Sequence, residues 1–501
     1  LEQTIGRKLA KLDEIILCNF LVGYIQNAQN QVTCLCLYGC NLEKFPPEIC
    51  QLHNLTALYL SGSKLSTLPV EIGQLHNLTA LYLSGSKLST LPVEICQLHN
   101  LTKLHLSGNE LITLPAEIGQ LHNLTALYLR GNQLSALSAE IWQLHNLTYL
   151  DLQDNKLSTL PAEIGQLHNL TNLVLGDNQL STLPAEIGQL HNLNLLYLSN
   201  NQLSTLPAEI RQLHNLTYLH LEQNQLSTLP VEIGQLHNLT ALYLSGSKLS
   251  TLPVEICQLH NLTELRLWGN KLSTLPAEIW QLHNLTELNL GRNILSVLPA
   301  EIGQLRKLTR LDLRHNKLTQ FPSALLELNL EVIWCNYLPR YSDGGIPVEG
   351  INVVDNTFHT PPIEIVEQGR QAIVDYYAAI EHSKRPLHEA KLILIGDGAA
   401  GKTSLMKRLL EQPFDPQESQ THGININTLL LPDPHHNEIK LHCWDFGGQQ
   451  IMHATHQFFL SKRCLYLLVI DSRREPQVEY WLKHIQAFGD NSPVIIVINK
   501  I

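Results

Sequence analysis

The chain has 501 residues, 44% of them apolar, and a formal net charge of −11 without a basic run. That length can bury more than one core, and the acidic balance leaves no electrostatic footprint for DNA or RNA, so no nucleic acid is expected as a partner. The ten cysteines form no C-x-x-C pair, which argues against a zinc site and for thiols in a reducing compartment.

Residues 1–29 hold the charges Arg7, Lys8, Lys11, Asp13 and Glu14, followed by an apolar run, Ile15 to Ile25, that is interrupted by Asn19. The run is too short to cross a bilayer and has no small-residue cleavage site. It reads as an N-terminal helical cap, and no membrane span is expected.

Prolines at 46, 69, 92, 115, 161, 184, 207, 230, 253, 276, 299 and 322 then fall on one 23-residue lattice, with Ser138 at the single point that lacks proline. A fixed period of this size is the mark of a solenoid. Each unit carries L-x-x-L-x-L-x-x-N, as in Leu101, Leu104, Leu106 and Asn109. The pattern resembles the leucine-rich repeat, with about 13 units over residues 30–338. Alternate leucines should point inward from one short strand while Leu-Pro-x-Glu-Ile crosses the other side, and neighbours must cover each unit's leucines. The asparagine column should bond the backbone of the next turn. Ser63, Ser86 and Ser247 replace it in three near-identical units, which should be held more weakly.

Twelve inter-strand gaps of about 4.8 Å predict a concave face roughly 58 Å along its arc. Its outward column includes Tyr59, Tyr82, His105, Tyr128, Tyr197, His220 and Tyr243, with Arg266 and Trp268 further on. Aromatic and arginine side chains are common interface anchors, so a protein partner is expected on this face; the plainer alternative is a solvated strand face of high β propensity. Asn-Leu-Thr recurs in most units and formally reads as a glycosylation acceptor. It is better explained as one small polar residue placed before each strand. One histidine per unit, His53 through His283, should stack along a rim. This ladder is either a sensor of mild acid or of metal, or a tolerated residue copied with the repeat.

Residues 339–390 carry the breakers Asp343-Gly344-Gly345 and Pro361-Pro362. An amphipathic helix is predicted over Ile363 to His382, either capping the repeats or serving as a plain linker.

From residue 391 the chemistry changes. Gly396-Asp397-Gly398-Ala399-Ala400-Gly401-Lys402-Thr403 fits G-x-x-x-x-G-K-[ST], follows the apolar run Leu392 to Ile395, and opens into a helical stretch at Ser404. That context is the one a phosphate-binding loop requires. Gly396, Gly398 and Gly401 let backbone N–H groups turn inward, Lys402 supplies a point charge for β/γ-phosphates, Thr403 offers a hydroxyl to Mg²⁺, and Ser404 continues the cradle into the helix. Further strands are predicted at Ile424 to Leu431, Ile439 to Trp444, Leu465 to Ile470 and Val494 to Ile498, with a helix over Gln477 to Phe488. The fold class is therefore α/β: a repeat solenoid (horseshoe) followed by a P-loop domain with a parallel sheet. Asp445 ends a strand where a carboxylate can hold Mg²⁺. Gly448 is placed to meet the γ-phosphate and Gln449 to orient an attacking water.

Taken together, the repeats, Pro361-Pro362-Ile363-Glu364-Ile365-Val366, the phosphate loop, Trp444-Asp445-Phe446-Gly447-Gly448-Gln449 and His453-Ala454-Thr455-His456 resemble the Roco family. In that family a Ras-like Roc GTPase domain follows the repeats and a COR dimerisation domain follows it. The resemblance implies GTP/GDP binding, slow Mg²⁺-dependent hydrolysis used as a switch, a cytoplasmic location, and a homodimer in the full-length protein. It matches Thr421 to a switch I threonine that touches metal and γ-phosphate, an ordinary loop threonine being the alternative. It assigns Asn499 and Lys500 to the Asn-Lys-x-Asp base motif, whose aspartate is not reached, so the G domain over 391–501 is expected to be C-terminally incomplete (truncated). Arg463, Arg473 and Arg474 are the arginines available to the γ-phosphoryl. Without an arginine there, hydrolysis should be slow, of order 10⁻⁴ s⁻¹. The alternatives are a non-hydrolysing scaffold stabilised by nucleotide, or part of a larger Roco protein with a kinase domain elsewhere.

Overall fold

The computed structural model describes residues 1–12, 22–334, 349–383, 389–413, 424–432, 438–446, 464–473, 477–489 and 492–500. The chain divides into two compact units, Leu1–Ile380 and Glu381–Ile501.

The first unit is a ladder of parallel strands, three residues each in most repeats, spaced one per 23-residue repeat from Val32–Cys36 to Arg310–Asp312. Its register is strictly repetitive: Leu58 pairs with Leu81, Leu81 with Leu104, and so on. These leucines and the isoleucine of each Pro-x-Glu-Ile form one continuous core. The proline-led segments are five-residue 3₁₀ turns, such as Ala162–Gln166, with Ile164 fully buried. Burying one leucine this way contributes about 1.5–3 kcal/mol. No single repeat encloses its own leucine, so the stabilisation depends on stacking.

The asparagine column works in the direction opposite to that expected. Asn178 Oδ1 accepts from Leu157 N at 3.0 Å and its amide donates to Leu152 O at 2.9 Å, both one repeat earlier, and also to Leu175 O at 3.1 Å in its own. Each asparagine thus completes the turn that precedes it. Where serine stands, that bridge is missing: Ser63 Oγ donates only within its repeat, to Leu60 O at 2.7 Å, and the Ser86 and Ser247 hydroxyls are buried without a hydrogen-bond partner among the described residues.

The His-Asn-Leu-Thr motif is structural throughout. Asn169 Nδ2 donates to His145 O at 2.9 Å and Thr171 Oγ1 to Thr148 O at 2.9 Å, each one repeat back, and the pattern recurs along the ladder. The asparagine amide that a glycan would need is already engaged, while the histidine rings stay exposed.

On the face opposite the leucines, the predicted column is largely self-stacked. Tyr59, Tyr82, His105 and Tyr128 follow one another at ring-centroid spacings of 4.3, 4.2 and 3.9 Å. Burial, with a smaller contribution from Lys103, pushes the His105 imidazole down to about 4. Further along, the Arg266 guanidinium lies 4.3 Å over the Tyr243 ring and bonds Glu287 at 2.8 Å.

Four expectations need correction. Residues 1–29 hold, among those described, one helical turn, Glu2–Ile5, and two strands, Ala10–Lys11 and Gly23–Gln26. The second strand runs antiparallel to Val32–Cys36, because the five residues between them suffice only for a hairpin. The repeat pattern also resumes beyond 338. Gly350–Asn352 inserts between Arg310–Asp312 and Val332–Ile333 as a further rung, and Asn356 completes the preceding turn by accepting from Leu318 N at 3.0 Å. Finally, Cys36 is disulfide-bonded, whereas Cys34, Cys50, Cys96 and Cys257 are among the free thiols. The helix expected at 363–382 is two, Ile363–Val366 and Arg370–Ser383, broken at Gly369, whose φ is +90°. Val366 and Ile373 bury in the leucine core, and the Tyr377 hydroxyl donates to Phe321 O at 2.6 Å.

In the second unit we label β1 (Glu389–Ile395), α1 (Lys402–Leu409), β2 (Ile424–Pro432), β3 (Glu438–Phe446), β4 (Leu465–Asp471), α2 (Val478–Gly489) and β5 (Val494–Asn499). The sheet order is β2-β3-β1-β4-β5. Strands β3, β1, β4 and β5 are parallel, and β2 is antiparallel to β3. The sheet is therefore mixed rather than wholly parallel, since the short connection from β2 to β3 cannot make a crossover. One face packs Ile393, Ile395 and Tyr466 against Trp481 and Ile485 of α2; the other packs Leu392, Leu394 and Cys443 against Met406 of α1.

Candidate nucleotide site

Strand β1 ends at Ile395, and the next six residues reverse the chain into α1. Two glycines make that turn possible. Gly396 has φ +139°, and a Cβ there would sit 2.2 Å from Val469 O; Gly401 has φ +96°, and a Cβ there would sit 2.1 Å from Asn499 Nδ2. Glycine suits the backbone conformation at both positions, and at Gly396, which faces backbone, nothing larger fits the space. Gly401 also brings no side-chain cap to α1, the arrangement in which a helix N-terminus takes an anion.

Lys402, the first residue of α1, is 5% exposed, and its ammonium donates to Gly396 O at 2.8 Å and Asp397 O at 2.9 Å. Burial lowers its pKa from the ordinary lysine value, while Asp445 and Asp397 pull the other way. A buried cation of this kind gains from an anion brought into the loop. Thr403 Oγ1 donates to Asp445 Oδ2 at 2.6 Å, and Asp445, near the end of β3, is fully buried. A hydroxyl and a carboxylate are hard oxygen donors of the kind Mg²⁺ takes, so the two residues fit that ion. Phosphate oxygens and water would complete its shell.

Asn499, the last residue of β5, and Lys500, just after it, reach back to the loop. Asn499 Nδ2 donates to Ala400 O at 3.0 Å, and the Lys500 ammonium donates to Ala399 O and, at 3.2 Å, to Asp471 Oδ2. Hydrogen bonds from the Arg473 side chain, then from its backbone and from Lys500, hold the Asp471 carboxyl well below the usual carboxylate range. Arg473 is thereby tied to Asp471, with Nε 3.2 Å from Oδ1.

The fold thus brings Gly396, Gly398, Gly401, Lys402, Thr403, Ser404, Asp445, Asn499 and Lys500 to one end of the sheet. Thr421, Gly448, Gln449, Arg463 and Arg474 lie outside the described residues. Two residues join the site that sequence reasoning did not select: Asp471, and Trp481, whose indole Nε1 donates to Asp397 Oδ1 at 3.1 Å. Asp471 had a signal, a carboxylate closing an apolar strand as Asp445 does. Trp481 had none beyond its place on an amphipathic helix.

Comparison with known proteins agrees with this division. Residues 391–501 match the family model described as "Ras of Complex, Roc, domain of DAPkinase". Residues 30–294 match a leucine-rich repeat region in three overlapping stretches, and 307–328 match a single leucine-rich repeat. A leucine-rich-repeat protein of Leptospira interrogans is similar in structure, with TM-score 0.59 and 34% identity over 72% of this chain and 98% of that one. The probable serine/threonine-protein kinase roco11 of Dictyostelium discoideum is 33% identical over 150 residues, 27% of this chain and 10% of the kinase. The RocCOR fragment of Methanosarcina barkeri Roco2, solved with GDP, is 62% identical over 23% of this chain and 36% of that one, with TM-score 0.22. The chain spans about a tenth of the length of the roco11 kinase.

Proposed function

Because the chain belongs to the Roco family, leucine-rich repeats running into a Roc domain, we propose that it is a GTP-binding switch that hydrolyses GTP slowly and presents its repeats to a protein partner. The observation that carries this reading is the convergence of Lys402, Thr403 and Asp445 on one glycine-lined turn. The loop N–H groups and the Lys402 ammonium bind and orient the phosphates, exchanging the carbonyls of Gly396 and Asp397 for phosphate oxygens. Thr403 and Asp445 would hold Mg²⁺, which when bound offsets charge on the β/γ-phosphates. Asn499 and Lys500 brace the loop from β5, and we assign them a share in holding the base. Gln449 is proposed to orient water and Gly448 to donate to the γ-phosphate, with Thr421 closing over the metal.

The tyrosine and histidine column with Arg266 and Trp268 supports a protein partner on the strand face, since aromatic and arginine side chains anchor interfaces. A cytoplasmic location and a homodimer in the full-length protein follow from the family reading. Among the described residues no helix is long and apolar enough to cross a membrane. The test is GTP and GDP titration, against ATP, with single-turnover hydrolysis of the parent chain, Lys402→Ala and Gln449→Leu. Guanine-selective binding lost in Lys402→Ala, with turnover lost in Gln449→Leu, is the expected result. Binding without turnover in the parent would leave a nucleotide-stabilised scaffold.

A further inference from the structure

We propose that Trp481 and Asp397 form a positioning pair that sets how long the phosphate loop retains its nucleotide, with α2 as the lever that acts on it; the inference rests on the nucleotide reading above.

The loop 396–401 needs backbone from its second residue, and that backbone is in use: Asp397 O accepts from the Lys402 ammonium at 2.9 Å. Its side chain has no role in a phosphate cradle. A carboxylate here repels phosphate and competes with it for the same donors, because Asp397 lies close enough to Lys402 to raise that ammonium's proton affinity. Glycine and alanine, which fill the next four positions, carry neither liability.

The indole N–H of Trp481 holds this carboxylate. It donates to Asp397 Oδ1 at 3.1 Å across 84 residues of sequence. Trp481 is 4% exposed, and its ring is wedged with Ile393, Phe446 and Ile485 in the core beneath α2. The direction of the N–H is therefore fixed by packing. While α2 keeps its seat, the negative charge is turned toward the helix; a shift of α2 by the reach of one hydrogen bond would release it toward the lysine and the loop amides. A partner that moves α2 would in this way speed nucleotide exchange without touching the nucleotide.

The experiment is release of a fluorescent GDP analogue from the full chain, chased with excess GDP, with thermal unfolding of each variant as the check on folding. Trp481→Phe keeps a ring and removes the donor, and release should quicken about tenfold, as expected for loss of a hydrogen bond to a charged group. Asp397→Asn keeps an acceptor without the charge, and release should be no faster than in the parent. In the double variant the rate should return to within about threefold of Asp397→Asn, because the donor matters only while there is a charge to hold. Asp397→Glu leaves the core untouched and overreaches the indole, so it should release several-fold faster than Asp397→Asn. Unchanged release in Trp481→Phe, a double variant as fast as Trp481→Phe alone, or equal rates for Asp397→Glu and Asp397→Asn would each overturn the pair. If the parent chain retains no analogue at micromolar concentration, the nucleotide reading falls together with it.

Discussion

Replacing Gly401 with alanine should cost the chain most of its nucleotide affinity, and the structure supplies the size of the effect. Gly401 has φ +96°, so any side chain there begins with left-handed strain of about 1–2 kcal/mol. The new methyl would lie 2.1 Å from Asn499 Nδ2, well inside contact distance. Asn499 sits at the end of a side chain and can swing away, but only by giving up its 3.0 Å bond to Ala400 O, a net loss of about 1 kcal/mol. The two terms sum to roughly 2–3 kcal/mol, which is about 30- to 150-fold in affinity. Both fall on the loop rather than on the core, so the circular dichroism of the variant should match that of the parent. Equilibrium titration with GDP is the assay, and affinity within threefold of the parent would show that Gly401 is not constrained as argued. Gly396→Ala is the harsher neighbour: its methyl would meet the backbone oxygen of Val469 at 2.2 Å, which cannot swing away, and here the fold itself should suffer.

Four further outcomes are expected. Asn178→Ala leaves the buried Leu157 N–H without its partner, while Leu152 O keeps the Asn155 amide, at a cost of about 1–3 kcal/mol, read as hydrogen exchange at Leu157 at least about fivefold faster. Conversely, Ser86→Asn, on the same left-handed glycine turn that carries Asn109, should slow exchange in the repeat before it. The His105 imidazole is held at about 4, below its ordinary 6.5, so the unfolded chain takes up that proton first as pH falls. Its contribution is complete above pH 6.5 and is lost between 6.5 and 4; with the ring partly exposed the amount is about 1–2 kcal/mol, and melting temperatures of His105→Tyr should fall less over that window. Lys402 has its pKa lowered from 10.5 by burial, so in the nucleotide-free chain it deprotonates at lower pH than a free lysine. GDP affinity should therefore fall on the alkaline side before pH 10.5 is reached, seen by titration across pH 7 to 10.

Sequence reached far in the first unit because every repeat repeats its register: one proline per 23 residues locates the turn, and the leucines that follow locate the rung. It failed where spacing broke. Ile351, Val353 and Asn356 keep the apolar-x-apolar-x-x-Asn spelling, but they come off the lattice after residues 335–348, and their insertion ahead of Val332–Ile333 is a matter of topology that no period encodes. The asparagines were recognised as a bonded column yet assigned to the wrong neighbour, since spacing is the same in both directions. In the second unit Gly401, Lys402, Thr403 and Asp445 were legible because the chemistry of phosphate and Mg²⁺ fixes residue type and local context. Asp397 and Trp481 were not, since their contact exists only because β4 leads α2 back beside the strand that feeds the loop.

A tandem of near-identical units is its own template, and any long unpaired strand at either end would invite a second molecule to continue the stack. Among the described residues the outermost strands are Ala10–Lys11 on one side and Val332–Ile333 on the other, each two residues long, with Lys11 exposed. Neither offers enough backbone to seat a newcomer. Among the described residues, what guards the ladder against growth into fibres is brevity at its margins rather than any difference among its rungs.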